Sequence, residues 1–283
     1  MAVTIKSFPR TTSNPDVYYN EKLKVVKYLS ITDMTLPYDF IGMTAVIYNN
    51  EIHVIGGNNA SSGNVSYHIK WNGTQWVTAS TLPFAYVDGR AIVFDGELRV
   101  INGLEQYAYN GSSWTEKNIP GEMDATGASV VVFNDKLHIL GGTNNPTMHY
   151  YYNGTRWVSA STLPRNFSKG YAVVYDGAIH MFGGGNANHY KWNGSAWELV
   201  SSSAPTYSNM SAVLYDNCIY FIGGSAYVYN GTSWSSKSGV LFSPSYSASV
   251  VYKNKVFYIG YSSTIRRYCL ELGDSYLSNY SIQ

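Results

Sequence analysis

Six histidines, two cysteines and a scatter of carboxylates, arginines and aromatic rings are the side chains of this 283-residue sequence with types suited to chemistry. The histidines form two sets. His53, His138 and His180 stand at one place in apolar runs that end in paired glycines, and His68, His149 and His189 each lie four residues before an Asn. Imidazoles in number suggest a metal or acid-base site. Recurrence at equivalent positions predicts a structural role instead, because copies of one position on successive repeats are rotated apart; a local pair from the adjacent third and fourth repeats is the one exception left open. Cys218 and Cys269 sit inside strand-like apolar runs and are expected to be buried free thiols; two cysteines exclude a disulfide framework or a cysteine-based zinc site. No G-x-S-x-G elbow, H-E-x-x-H helix or Walker loop occurs, so no catalytic residue, metal site or cofactor is assigned.

Richer material lies in the segments that follow each Leu-Pro and each double glycine. Asp88, Arg90 and Arg165, with Tyr38, Tyr86, Tyr207 and Tyr246, are the candidate ligand contacts. Aromatic faces stack on sugar rings, while a carboxylate and guanidinium groups hydrogen-bond hydroxyls, and rigid strands would hold them at small ordering cost. The carboxylates are spread over the repeats without visible pairing, which argues against acid-base catalysis.

The elements that must position these residues repeat. Asn-Gly followed by two residues and Trp occurs five times, ending at Trp76, Trp114, Trp157, Trp197 and Trp234, with spacings of 38, 43, 40 and 37 residues. Upstream of each stands an apolar strand ending in glycine: Gly56-Gly57, Gly141-Gly142, Gly183-Gly184 and Gly223-Gly224, with variants at Asn102-Gly103 and Gly260. Before each of these six lies another apolar run, such as Ala45 to Tyr48 or Val130 to Phe133, followed by a two-residue turn such as Asp95-Gly96 or Asn134-Asp135. These two runs predict a hairpin. A third strand ending at Asn-Gly in a type I′ turn, and a fourth starting near the Trp, complete a four-stranded antiparallel meander. The Asn-Gly-Ser/Thr triplets also match a glycosylation acceptor, but the turn accounts for Asn and Gly together. Six such sheets bury both faces only by packing on one another around an axis, which predicts a closed β-propeller. The paired glycines would permit close approach of neighbouring sheets, and the Trp would wedge between their outer parts.

From about residue 36 to 268 the pattern resembles the kelch repeat family: an apolar inner strand, an apolar strand ending Gly-Gly, an aromatic before a turn (Trp71, Tyr109, Tyr152, Trp192, Tyr229) and the Trp. The resemblance implies an all-β, six-bladed propeller of kelch-type blades. The basic residue that often follows Pro in that family appears only as Arg165, so the specificity of better-known kelch adaptors does not carry over. The sixth unit lacks Asn-Gly-x-x-Trp. A segment from about Val17 to Ile31 is expected to close the ring by completing that blade. Residues 1–15 read as a polar arm and 16–283 as one propeller domain.

Charged residues make up 13% of the chain, against roughly 25% in an average soluble domain, and the formal charge is +1. No Lys/Arg run could neutralise several phosphates, so nucleic acid is not expected as a partner. No apolar run approaches a membrane span, and the first residues lack a basic-then-apolar signal, so neither membrane insertion nor cleaved export is expected. Low charge with abundant Tyr, Asn, Ser and Gly is similar to bacteriophage tail and fibre proteins. The resulting expectation is a non-catalytic recognition or structural module, virion-associated or surface-acting, that binds a glycan or a neighbouring structural protein. The alternatives are an intracellular kelch protein-interaction adaptor in the cytoplasm and a sugar-modifying enzyme such as a mutarotase.

Overall fold

The computed structural model describes residues 26–31, 36–38, 41–59, 61–208, 210–223, 225–237, 248–262 and 266–274. The polar arm 1–15, Tyr246 and Gly224 lie outside them.

The described strands make six four-stranded antiparallel sheets and one short two-stranded ribbon. Five sheets are continuous in the chain. Sheet I is Thr44–Tyr48, Glu51–Ile55, His68–Trp71 and Trp76–Thr78; sheet II is Arg90–Phe94, Glu97–Asn102, Glu105–Tyr109 and Trp114–Glu116. Sheet III is Ser129–Phe133, Lys136–Leu140, His149–Tyr152 and Trp157–Ser159; sheet IV is Gly170–Tyr175, Ala178–Gly183, Asn186–Trp192 and Trp197–Ser201. Sheet V is Ser211–Tyr215, Cys218–Ile222, Ala226–Tyr229 and Trp234–Lys237. Sheet VI is composite: Ala248–Tyr252, Lys255–Ser262 and Arg266–Asp274 are joined at the outer edge by Val26–Ile31, with Val26 opposite Asp274.

The first strand of each sheet packs on the first strands of two neighbours, in the cyclic order VI, I, II, III, IV, V and back to VI. Apolar clusters follow the same order. One joins Tyr48 and Ile55 of sheet I to Leu98 and Val100 of sheet II; another joins Tyr175 and Phe182 of sheet IV to Ile219 and Phe221 of sheet V. No sheet has a core of its own; burial is achieved only between sheets, which is the logic of a β-propeller built from four-stranded antiparallel blades. The first strands have an unpaired inner edge, and side chains of the preceding sheet answer it: Thr44 Oγ1 accepts the Ala91 N–H at 3.1 Å and Ser129 Oγ the Ala172 N–H at 2.8 Å.

The tight turns between first and second strands have positive φ at both central residues, as at Asn49-Asn50, Asp95-Gly96 and Asp216-Asn217, which is type I′ geometry. The Asn-Gly turns between third and fourth strands differ from the expected type I′. Only the glycine is left-handed, at φ +94° for Gly154. The Asn side chain instead caps a four-residue loop, Asn153 Oδ1 accepting the N–H groups of Thr155 and Arg156 at 3.0 Å each. Asn is therefore selected as an acceptor and Gly for its φ.

Glycine at the ends of second strands permits close approach. A Cβ on Gly141 would stand 2.0 Å from the Phe167 carbonyl oxygen, and one on Gly184 2.7 Å from that of Ser168. The tryptophans reach the preceding sheet: Trp114 packs edge-on against His68, Trp197 against His149 and Trp234 against His189. Cys218 is a free thiol as expected, but half-buried at the start of its strand rather than fully enclosed.

Candidate functional site

Strand direction sorts the connections. Tight turns gather at one end of the ring, the turn end. The second-to-third connections and the segments leading into each first strand gather at the other, the loop end. Chain order therefore brings Asp88, Arg90, Arg165 and Tyr207 to one end although 119 positions separate the first from the last.

Two of these residues meet at the mouth of the axis. The residues one or two positions before the first strands of sheets I to IV, Gly42, Asp88, Gly127 and Lys169, are all left-handed, with φ of +68°, +60°, +70° and +54°. They are linked in pairs through backbone, the Asp88 N–H donating to Gly42 O at 2.9 Å and the Lys169 N–H to Gly127 O at 2.8 Å. Glycine occupies the region freely; Asp88 and Lys169 each hold it against a cost of about 1–3 kcal/mol. Gly127 has no side chain between them, and Lys169 Nζ approaches Asp88 Oδ2 to 3.8 Å. Beneath this pair the Arg90 guanidinium lies 5.0 Å from the centroid of the Tyr171 ring, a contact that skips over sheet III, whose strand begins with the small Ser129. Arg90 Nε is buried without an acceptor. Burial pushes the Asp88 carboxyl above its usual range, with Lys169 and Arg90 pulling the other way. Burial likewise raises the Tyr171 hydroxyl. The mouth thus presents two cations, one carboxylate and an aromatic ring on rigid backbone, suited to hydrogen-bonding a polar ligand. Tyr171 and Lys169 were not among the candidate ligand contacts read from sequence. Their signal is the alternation Thr44, Arg90, Ser129, Tyr171, Ser211 at the first-strand starts, in which the two large side chains are next-nearest neighbours.

A second feature of the loop end is a set of aromatic pairs. Tyr38 stacks on Tyr67 at 4.6 Å, Phe84 lies 5.1 Å from Tyr107, and Tyr207 lies 5.6 Å from Tyr227, whose hydroxyl donates to that of Tyr207 at 3.2 Å. In each pair a residue leading into a sheet covers a ring at or just before that sheet's third strand. All six rings are partly or fully exposed, Tyr207 most at 48%.

One sequence-derived contact is corrected, and a second is held against the backbone. Tyr86 is 1% exposed, its ring fitted against Gly56 and Gly89, where an added Cβ would lie 2.7 and 2.3 Å from ring carbons. It is a core residue and cannot face a ligand. Arg165 stays near the loop end, its Nη1 donating to Asn166 O and its Nη2 to Gly183 O at 2.9 Å each, over the Phe167 ring, while Nε is buried without an acceptor. Burial lowers its pKa to about 10.

The histidines pair within sheets, not between the third and fourth. His53 Nδ1 is 2.7 Å from His68 Nε2, His138 Nδ1 2.9 Å from His149 Nε2, and His180 Nδ1 2.8 Å from His189 Nε2. Partners assign tautomers in two of them. His68 Nδ1–H donates to Ser80 O, so its Nε2 accepts from His53; His189 Nδ1 accepts from Trp234 Nε1–H, so its Nε2–H donates to His180. Burial lowers all six, to about 4 for His53, His68, His138 and His180 and about 3 for His149 and His189, and keeps them neutral. Among the described residues no group of three or more His, Cys, Asp or Glu is placed to hold a metal ion.

No protein-family profile matches the chain, and no curated protein matches it in sequence. Solved structures do. One titled "Structure of YjhT" superposes with a TM-score of 0.69, covering 86% of this chain and 95% of that one at 15% identity. At that identity the likeness speaks for the β-propeller fold alone.

Proposed function

We propose that the chain is a six-bladed kelch-type propeller acting as a non-catalytic recognition module, virion-associated or otherwise surface-acting, that binds a glycan at the loop end. The observation that carries this reading is the occurrence, at one end of the fold, of three partly exposed aromatic pairs together with a mouth furnished with Asp88, Arg90 and Lys169. Pyranose rings offer apolar faces that stack on aromatic side chains and hydroxyls that pair with charged groups at their rim. The pairs are pre-formed by strand packing, so little ordering cost opposes binding. Low charge and a Tyr-rich composition fit a protein that works outside the cytoplasm.

The test is binding of the purified chain to whole bacteria and to a broad polysaccharide panel, beside Tyr207→Ala and Asp88→Asn. Saturable glycan binding, weakened about five- to tenfold by Tyr207→Ala, is expected from the loss of roughly 1 kcal/mol of stacking. Absence of binding to any cell or polysaccharide by folded protein defeats the reading.

A further inference from the structure

Sheet II breaks the histidine pattern, and a cavity lies where it does so. In sheet I the diagonal neighbours His53 and His68 are hydrogen-bonded, and His68 Nδ1–H and Trp114 Nε1–H both close on Ser80 O, at 3.1 and 2.7 Å. In sheet II the two equivalent positions hold Arg99, opposite Ala108, and Gln106, opposite Ile101, again diagonal neighbours on one face. Arg99 is 6% exposed and Gln106 1%. Arg99 Nε and Gln106 Nε2 are buried without a hydrogen-bond acceptor.

Both side chains line a cavity of about 610 Å³ on the outer flank between sheets II and III, with Lys117, Tyr152, Arg156 and Trp157 among its other walls. That size falls in the range of small-molecule sites. The Arg99 guanidinium is fixed: Nη2 lies 3.3 Å from Glu97 Oε2, and the plane covers Phe94 and Tyr152 at 4.8 and 5.8 Å from the ring centroids. Lys117 Nζ sits 3.1 Å from the same Glu97 oxygen. Three cationic side chains, Arg99, Lys117 and Arg156, line the cavity with two carboxylates, Asp95 and Glu97, leaving a formal charge of +1. One net positive charge with two unspent donors matches a monoanion, while Glu97 opposes a dianion.

We propose that this flank cavity binds a small organic carboxylate, its oxygens accepting from Arg99 Nε and Gln106 Nε2 and its body lying against Tyr152 and Trp157. The site is separate from the glycan-binding loop end and stands or falls independently of it.

Thermal unfolding of the full chain tests the site, with benzoate and glucuronate as probes, benzyl alcohol and glucose as their uncharged counterparts, and inorganic phosphate as the competing anion. Either carboxylate, or both, is expected to raise Tm where the uncharged compounds do not, and the response shows whether an aromatic or a sugar body is preferred. Gln106→Leu and Arg99→Met are expected to weaken that binding about tenfold or more. Gln106→Leu removes an unpaired buried donor, so its unliganded Tm is expected to hold or rise, which separates lost binding from lost folding. Tyr207→Ala is expected to leave the carboxylate effect intact. Failure of both carboxylates to raise Tm, a response to phosphate alone, or a rise undiminished in both cavity variants overturns the proposal.

Discussion

The six buried imidazoles show how strongly position governs residue chemistry. Each would titrate near 6.5 in the unfolded chain, and burial among Trp, Tyr and Phe rings carries them to about 3 or 4 in the fold. A lowered folded-state pKa means that the unfolded chain takes up protons first. Stability is therefore expected to be level above pH 7 and to fall progressively as pH drops from 6.5 towards 4. Urea midpoints across that range check it; a midpoint unchanged from pH 7 to 4.5 would show that the imidazoles are not held neutral. Sequence revealed that these histidines belong to a repeat, yet not that they bond in pairs inside one sheet, because the pairing depends on a diagonal register between strands joined by loops of different length. The distinction between Tyr86 and Tyr207 was equally hidden. Both sit in aromatic loop segments, and only the void left by Gly56 and Gly89 sends Tyr86 into the core while Tyr207 stays at the rim.

Among the elements, the Asn-Gly-x-x-Trp loop was legible as a turn but not as the turn it is. Two-residue type I′ geometry needs positive φ at both centres, and the loops between third and fourth strands reach it only at glycine. The side-chain acceptor of Asn153 does the remaining work. An added Cβ on Gly154 would meet no atom within 4 Å, so Gly154→Ala isolates backbone strain at φ +94° from any clash. It is expected to destabilise by about 1 kcal/mol or more, read as a urea midpoint shift at constant slope. An unaltered midpoint would mean that the loop relaxes freely. Strand order was readable because paired glycines, type I′ dipeptides and tryptophans recur at nearly constant spacing. The composite sheet was readable in outline, from the missing Asn-Gly-x-x-Trp of the last unit and an apolar segment before the first, and Val26–Ile31 pairs with Arg266–Asp274 accordingly.

At the scale of the whole molecule, cyclic packing of first strands turns residues distant in sequence into neighbours. Asp88 and Lys169 are 81 positions apart and meet across the axis mouth; Arg90 and Tyr171 meet below them. No pattern within one repeat encodes such a contact, which depends on which repeats are next-nearest around the ring and on Gly127 and Ser129 being small between them. The loop end and the turn end are thus chemically different faces, one with aromatic pairs and a charged mouth, the other with Asn-capped loops. Hydrogen–deuterium exchange of the full chain, with and without the polysaccharide that binds it best, tests this division most directly. Protection of residues 84–90, 165–171 and around Tyr207 is expected on binding, with the turns at 72–75 and 153–156 unchanged. Protection confined to those turns, or no bound polysaccharide at all, would contradict it.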